Sequence, residues 1–415
     1  MPNSSIAILH FTCPPAVGGV EQLIAVHAGL LADHGYPTRV VAGRGNSFRP
    51  DVPVEIVPSL YSKDPELLAI NEELDRGEVS DRFRAAAERI HGELQAALSG
   101  VDVCIVHNAF TLHFNLPLTA ALHRMVEAGE GPRFVAWCHD LSWKNELYLP
   151  KLRSLYPWNL LRRPLDRVAY VVVSRARQVE LADLFGWAPE RFHIIPAGVD
   201  VAAQLKLEPE TSELVRRLGL LEANPLMLAP VRITKRKNLE LAIRITHALK
   251  LRDVPARLLV TGPPGPHNVH SDDYVDELRG LRSQLGVERE VVLLFEHTGT
   301  PEGDYPVSDR MMYDLYSLSD LLLFTSEQEG FGIPLLEAGL FRLPVFCSNI
   351  PPLREIGGDA VCYFELADDP QVVARRLLKW MSEDCVHRLR RKVMDEYSWE
   401  KIFGNQIESL VAGRW

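Results

Sequence analysis

Positive charge is in short supply in this chain of 415 residues: 45 Lys and Arg stand against 55 Asp and Glu, a net charge of −10. That balance argues against a nucleic-acid-binding protein, whose electrostatic footprint would be basic. It leaves room for a small anionic ligand, because local charge governs such binding. Paired cysteines are missing too. The six present (Cys13, Cys104, Cys138, Cys347, Cys362, Cys385) are scattered, with no C-x-x-C pair. This spacing opposes a zinc site or a disulfide framework, and buried reduced thiols in a cytoplasmic protein are the expectation. No apolar run approaches the ~20 residues of a membrane span. The amino terminus carries only the short run Ile6–Leu9, so no signal peptide is expected. Short repeats and low-complexity tracts are absent. So is a G-x-G-x-x-G after the first strand, which weighs against a dinucleotide oxidoreductase.

What is present is ordinary for a globular protein: 47% apolar and 24% charged residues, on a chain long enough for two or three domains. Strand and helix patterns alternate. A strand at Ile6–Phe11 leads through the loop 12–19 into a helix over about 20–34, with Leu23, Val26, Leu30 and Leu31 on one face and Gly35 at its stop. Further strands are predicted at 38–42, 101–107, 134–138, 169–173 and 192–195, with helices at 81–98 and 112–127. A second series follows at 226–231, 257–261, 291–295, 320–325, 344–347 and 360–364. Alternation of this kind predicts an α/β fold, parallel sheets with helices on both faces. The Pro- and Gly-bearing segment 196–209 reads as the interdomain linker.

The densest information lies in Thr325–Gly339. An apolar strand, Leu321–Phe324, enters a turn containing Gly330, Phe331 and Gly332 and then a helix. Glu329 precedes the turn and Glu337 lies in the helix. A Gly-rich turn at a helix start offers free N–H groups and the positive end of a dipole, which suit phosphate. The carboxylates suit hydroxyls, each accepting hydrogen bonds from a diol. A ligand with phosphates in the middle and diols at both ends is a nucleotide sugar. A second strand, Leu226–Val231, ends in Arg232 and Lys237, with Asn238 positioned to cap the next helix. Ligands of doubly wound sheets bind at the carboxyl ends of strands, so these cations should face the same crevice. A guanidinium and an ammonium suit a diphosphate. Lys235 and Arg236, between them in sequence, read as surface residues.

These motifs together resemble the family 4 glycosyltransferases of the GT-B type, also called glycosyl transferases group 1. The resemblance rests on Gly18, Gly19 and Glu21, on Pro196, Gly198, Val199 and Asp200, on Arg232 and Lys237, on Glu329 and Glu337, and on Tyr397–Lys401. It spans nearly the whole chain. It implies two Rossmann-like doubly wound domains facing across a cleft: residues 1–200 for the acceptor, 201–395 for the nucleotide-sugar donor, and 396–415 as a helix crossing back to the first domain. It also implies a retaining transfer of a hexose from an NDP-sugar, such as UDP- or GDP-hexose, to a hydroxyl acceptor (a small molecule, a glycan or a lipid-linked sugar). Glu337 would hold the ribose and Glu329 the transferred sugar. Gly18, Gly19, Gly330, Phe331 and Gly332 would line the donor. His139, at the end of the strand 134–138, would lie near the donor sugar, with Asp140 orienting it or approaching the acceptor. His107 and Asn108 are weaker acceptor-side candidates.

No Asp-x-Asp follows an apolar strand, so no essential metal is expected, and Arg232 and Lys237 would stabilise the leaving diphosphate. His267 and His270, in the loop 263–271, lack an evident third metal ligand. Base contacts are expected near Phe295–His297. The basic, aromatic stretch Lys151–Arg167 suits an anionic surface, but the acidic chain and Pro157 and Pro164 weigh against membrane docking. A nucleotide-sugar epimerase or hydrolase on the same scaffold, or a nucleotide-binding subunit without turnover, stays open at this point.

Overall fold

A computed structural model describes residues 4–264, 271–298 and 307–413. The chain divides into two units, Met1–Gly198 with Trp399–Trp415, and Val199–Ser398. The loop histidines His267 and His270 lie outside the described residues.

The first unit holds seven strands: β1 (Ile6–His10), β2 (Thr38–Ala42), β3 (Val54–Ile56), β4 (Val103–His107), β5 (Arg133–Cys138), β6 (Val168–Val172) and β7 (Phe192–Ile194). They pair in parallel in the order β3-β2-β1-β4-β5-β6-β7. Almost every residue of β1, β4, β5 and β6 is buried. This is why these strands read as continuous apolar runs rather than as alternating ones: helices cover both faces. The strand order reverses between β1 and β4, which pair from Ile6 with Val103 to Leu9 with Val106. β3 was not legible in the sequence. It is three residues long, partly exposed, and sits at the sheet edge between Pro53 and Pro58, where little apolar pattern is required.

The second unit repeats the plan with β8 (Leu226–Ala229), β9 (Arg257–Val260), β10 (Val291–Leu293), β11 (Leu321–Phe324), β12 (Val345–Ser348) and β13 (Cys362–Phe364). Their order is β10-β9-β8-β11-β12-β13, again parallel throughout. The reversal falls between β8 and β11, where Leu321 pairs with Met227 and Leu322 with Leu228. The α/β class with two Rossmann-like doubly wound units is therefore observed. Most strand bounds lie within two residues of the apolar runs that announce them, and β1, β8, β9 and β10 stop short of the run's end because its last residues turn into loops.

Three further expectations are refined or corrected. The segment 196–209 contains the boundary between the units, after Gly198, as expected of a linker, but it is not irregular throughout: Asp200 caps a short helix, Val201–Leu205, by accepting from Ala203 N at 2.9 Å. The stretch expected as a helix from 112 starts with a 3₁₀ turn, His113–Asn115, and becomes α-helical at Leu116–Ala128, where Asn115 caps it. All six thiols are unpaired, but only four are buried; Cys362 and Cys385 are exposed.

The carboxyl-terminal segment belongs to the first unit. It forms a helix interrupted by a π turn: Trp399–Ile402, Phe403–Ile407, Glu408–Val411. Trp399, Ile402, Phe403, Ile407, Leu410 and Val411 join the core formed by β1, β2 and the helix Gly19–Asp33. Arg133 donates to the Val411 carbonyl at 3.0 Å. Gly198 is required by this packing, because a Cβ there would come within 2.7 Å of the Trp399 ring.

Candidate functional site

Two groups of predicted residues gather, one in each unit, and both lie where the strand order reverses. In the second unit the loops after β8 and β11 are tied together. Thr325 Oγ1 donates to the carbonyls of Lys237 and Asn238, at 3.0 and 2.9 Å, and Glu327 N donates to Arg236 O at 2.8 Å. Asn238 adopts the left-handed region (φ 47°) and accepts from Leu241 N, capping Leu239–Lys250. Asparagine is the side chain that best combines these two demands.

This stitching brings Lys237 against Glu329. The two form an ion pair, with side chains only 9% and 8% exposed. Ser326 Oγ also donates to Glu329 Oε1 at 2.6 Å. Arg236 donates to Oε2 at 3.1 Å and to Gln328 O at 3.1 Å. Burial pushes the Glu329 carboxyl up, but the bonds from Lys237 and Ser326 outweigh it and hold it below the usual range. Burial lowers the Lys237 ammonium, and its pairing with Glu329 offsets only part of that. Glu329 is thus ionised at neutral pH. A carboxylate offers about four lone-pair sites, so Glu329 keeps one free for a hydroxyl.

Arg236, expected as a surface residue, belongs to this cluster. Its side chain is half exposed, but the fold of the Lys235–Lys237 turn aims it at Glu329. Lys235 remains outside, paired with Glu277 and Glu240. Arg232 is exposed and makes no side-chain hydrogen bond or ion pair among the described residues, so its guanidinium is open to a ligand.

Beyond Glu329, Gly332 (φ 115°) begins the helix Ile333–Leu340, which has no side-chain cap. A Cβ on Gly332 would lie 2.7 Å from Leu353, so both conformation and space require glycine. Gly330 has open space around it, and Phe331 is 55% exposed. Uncapped N–H groups at a helix start attract anions. Glu337 accepts from the Tyr316 hydroxyl at 2.6 Å through Oε2. Burial and this bond raise the Tyr316 pKa, keeping it a donor. Tyr316 in turn stacks on Phe341 at 5.2 Å. Sequence reasoning missed Tyr316 because nothing local links it to Glu337, 21 positions away.

In the first unit, Gly18 precedes the helix Gly19–Asp33, which likewise starts without a side-chain cap. Glu21 folds back over Gly18 and takes a hydrogen bond from Thr12 Oγ1. His139 follows β5, and its Nε2 lies 2.9 Å from His107 Nδ1. The imidazole of His139 is oriented by His107 and not by Asp140, which is exposed and lies 3.7 Å from Arg177. His107 and Asn108, the weaker acceptor-side candidates, are both buried. Asn108 (φ 60°) accepts from His139 N at 2.9 Å and Asp140 N at 3.3 Å, fixing the loop.

Around this pair lie His10, His27 and Trp137. His27 packs on Trp137 at 4.5 Å and on Trp399 at 5.5 Å. Burial pulls His27 down to about 3 and His139 down to about 4, and holds His107 and His10 low. The four imidazoles are neutral at pH 7. Phe295–His297, where base contacts were expected, lies just past the end of β10 in the short helix Phe295–Thr298, with Glu296 held by Arg279 and Arg282. Among the described residues no group of three or more His, Cys, Asp or Glu is disposed to hold a metal ion.

Comparison with known proteins matches residues 17–203 to the model for Glycosyltransferase Family 4 and residues 211–399 to that for Glycosyl transferases group 1. A mannosylglucosylglycerate synthase of Petrotoga mobilis is 24% identical over 305 residues, 68% of this chain and 69% of that protein. A D-inositol 3-phosphate glycosyltransferase of Kineococcus radiotolerans is 29% identical over 190 residues, 44% of this chain and 40% of that one. Among solved structures, an Anabaena HepE in complex with UDP-glucose matches over 99% of this chain and 100% of its own, at 17% identity and a TM-score of 0.35.

Proposed function

The chain belongs to the family 4 glycosyltransferases, also called glycosyl transferases group 1, and on that premise we propose that it moves a hexose from an NDP-sugar to a hydroxyl acceptor with retention of anomeric configuration. The observation that carries this reading is the Lys237–Glu329–Arg236 cluster beside the uncapped start of Ile333–Leu340. It offers cations and N–H groups to a diphosphate and a carboxylate to sugar hydroxyls. Glu337, steadied by Tyr316, suits the ribose diol. The second unit is then the donor-binding unit and the first serves the acceptor.

In the reaction the acceptor oxygen bonds to the anomeric carbon and the bond from that carbon to the diphosphate oxygen breaks. The electron pair leaves on the diphosphate, which takes up the hydroxyl proton on the same face of the sugar. Arg232, Lys237 and the N–H groups around Gly330–Gly332 stabilise the charge that develops there. His139, neutral and steadied by His107, can give a hydroxyl a hydrogen bond without adding charge.

Measuring NDP release and glycoside formation from UDP- and GDP-hexoses tests the proposal. Arg232→Ala should lower kcat by roughly 10²–10³; an unchanged rate would remove the leaving-group role. Turnover should persist after dialysis against EDTA. A loss restored by Mg²⁺ or Mn²⁺ would overturn the metal-independent part.

A further inference from the structure

The loops leaving the carboxyl ends of β3, β4 and β5 enclose a cavity of about 370 Å³ within the first unit. That volume suits a small ligand, and strand tips are where doubly wound sheets bind them. None of the residues placed in the site above lines it. Its floor is firm. Leu74, Leu116 and Trp158 are buried in a satellite core, and the Trp158 carbonyl accepts from Trp143 Nε1 at 3.1 Å.

One wall is aromatic. Phe114 and Tyr148 meet edge to face at 5.5 Å, and His113 packs against each at 4.9 Å. Ring faces of this kind carry negative potential and receive the C–H face of a sugar or polyol. His113 has a defined role. Ser142 is fully buried, and its Oγ accepts from His113 N at 3.0 Å and lies 2.8 Å from His113 Nδ1. A buried hydroxyl proton needs an acceptor, and Nδ1 is the one in reach. The ring proton therefore sits on Nε2. Burial pulls His113 down to about 4, so at pH 7 it donates without carrying charge.

The rim is cationic. Lys151 is balanced by Asp75, 3.9 Å away. Lys63 lines the same cavity, is exposed, and makes no ion pair among the described residues. One uncompensated positive charge beside an aromatic wall, on a chain of net charge −10, selects for a ligand with hydroxyls and one negative group.

We infer that this cavity is the acceptor subsite, and that the acceptor is a sugar or polyol bearing a phosphate or carboxylate that Lys63 holds while its carbon face lies on Phe114 and Tyr148. The word acceptor rests on the sugar-transfer reading; the ligand class rests on the cavity alone.

Calorimetry with glucose 6-phosphate, glucuronate and glucose tests it, since the three share a ring and differ in the charged group. The charged sugars should bind roughly tenfold more tightly than glucose. Lys63→Glu, at an exposed position, should erase that advantage, and Tyr148→Ala should weaken all three. The better of the two charged sugars tells phosphate from carboxylate. Equal binding of glucose, no binding of either charged sugar at millimolar concentration, or an advantage that survives Lys63→Glu would overturn the inference. So would Lys63-dependent binding to anionic lipid vesicles without binding of free sugars. Charged-sugar binding with no transfer from any NDP-hexose would remove the sugar-transfer reading and keep the ligand class. Transfer to neutral acceptors that Lys63→Glu leaves unchanged would do the reverse.

Discussion

Glu329 and Lys237 are 92 positions apart in sequence and form the most buried ion pair of the donor-side cluster. A pair of this kind is weak as a stabiliser but costly to break, because the survivor is left charged in a poor solvent. Glu329→Gln should therefore lower stability by about 2 kcal/mol, read as a shift in the urea midpoint at constant slope. Arg236→Ala, at a half-exposed position, should change it by less than about 0.5 kcal/mol and act on donor KM instead. Glu329, Arg232 and Lys237 stand out in the sequence because they follow strand ends or adjoin a glycine turn, and Glu337 because it lies in the helix that the same turn begins. The sequence does not announce Arg236, Tyr316 or the support that His107 gives His139. Those depend on which way a turn aims a side chain, or on contacts between distant segments.

The strand–turn–helix element after β11 separates two glycines that look equivalent in sequence. Gly332 holds φ 115° and a Cβ there would run into Leu353, whereas Gly330 has neither constraint. Gly332→Ala should cost about 2–3 kcal/mol, seen as a lowered Tm. Gly330→Ala should leave Tm in place and, on the proposed function, weaken binding of the NDP-sugar, because a methyl group would intrude where that reading puts the diphosphate. Equal losses of stability at both positions would refute this division. Elements of this type were legible where apolar runs were long and buried on both faces. The edge strand β3 was not, since an exposed three-residue strand needs little of that pattern.

At the scale of the molecule, the neutral histidine cluster links β1, β4, the loop after β5 and the carboxyl-terminal segment within the first unit. His27 and His139 have native pKa values of about 3 and about 4, below the ordinary 6.5. Below pH 6.5 the unfolded chain takes up protons that the folded one refuses. Stability is therefore complete above about pH 6.5 and falls as the pH drops toward 4, by at most about 1.4 kcal/mol per pH unit for each such histidine. The urea midpoint should drop between pH 7 and pH 5, and His27→Leu should flatten that drop. An unchanged slope in this variant would exclude His27 as a source.

The sequence indicated two doubly wound units through their alternating patterns. Periodicity alone did not show that the last helix completes the first core, because its apolar face does not name a partner; the family resemblance implied that crossing. That closing helix has a consequence for biosynthesis. A ribosome delivers β1 through β7 early, but Trp399, Phe403 and Leu410 emerge only after the second unit. The first unit must wait, with one apolar face uncovered, while the whole second unit is translated. Nascent chains stalled before Trp399 should then be protease-sensitive in the first unit even when the second has already formed.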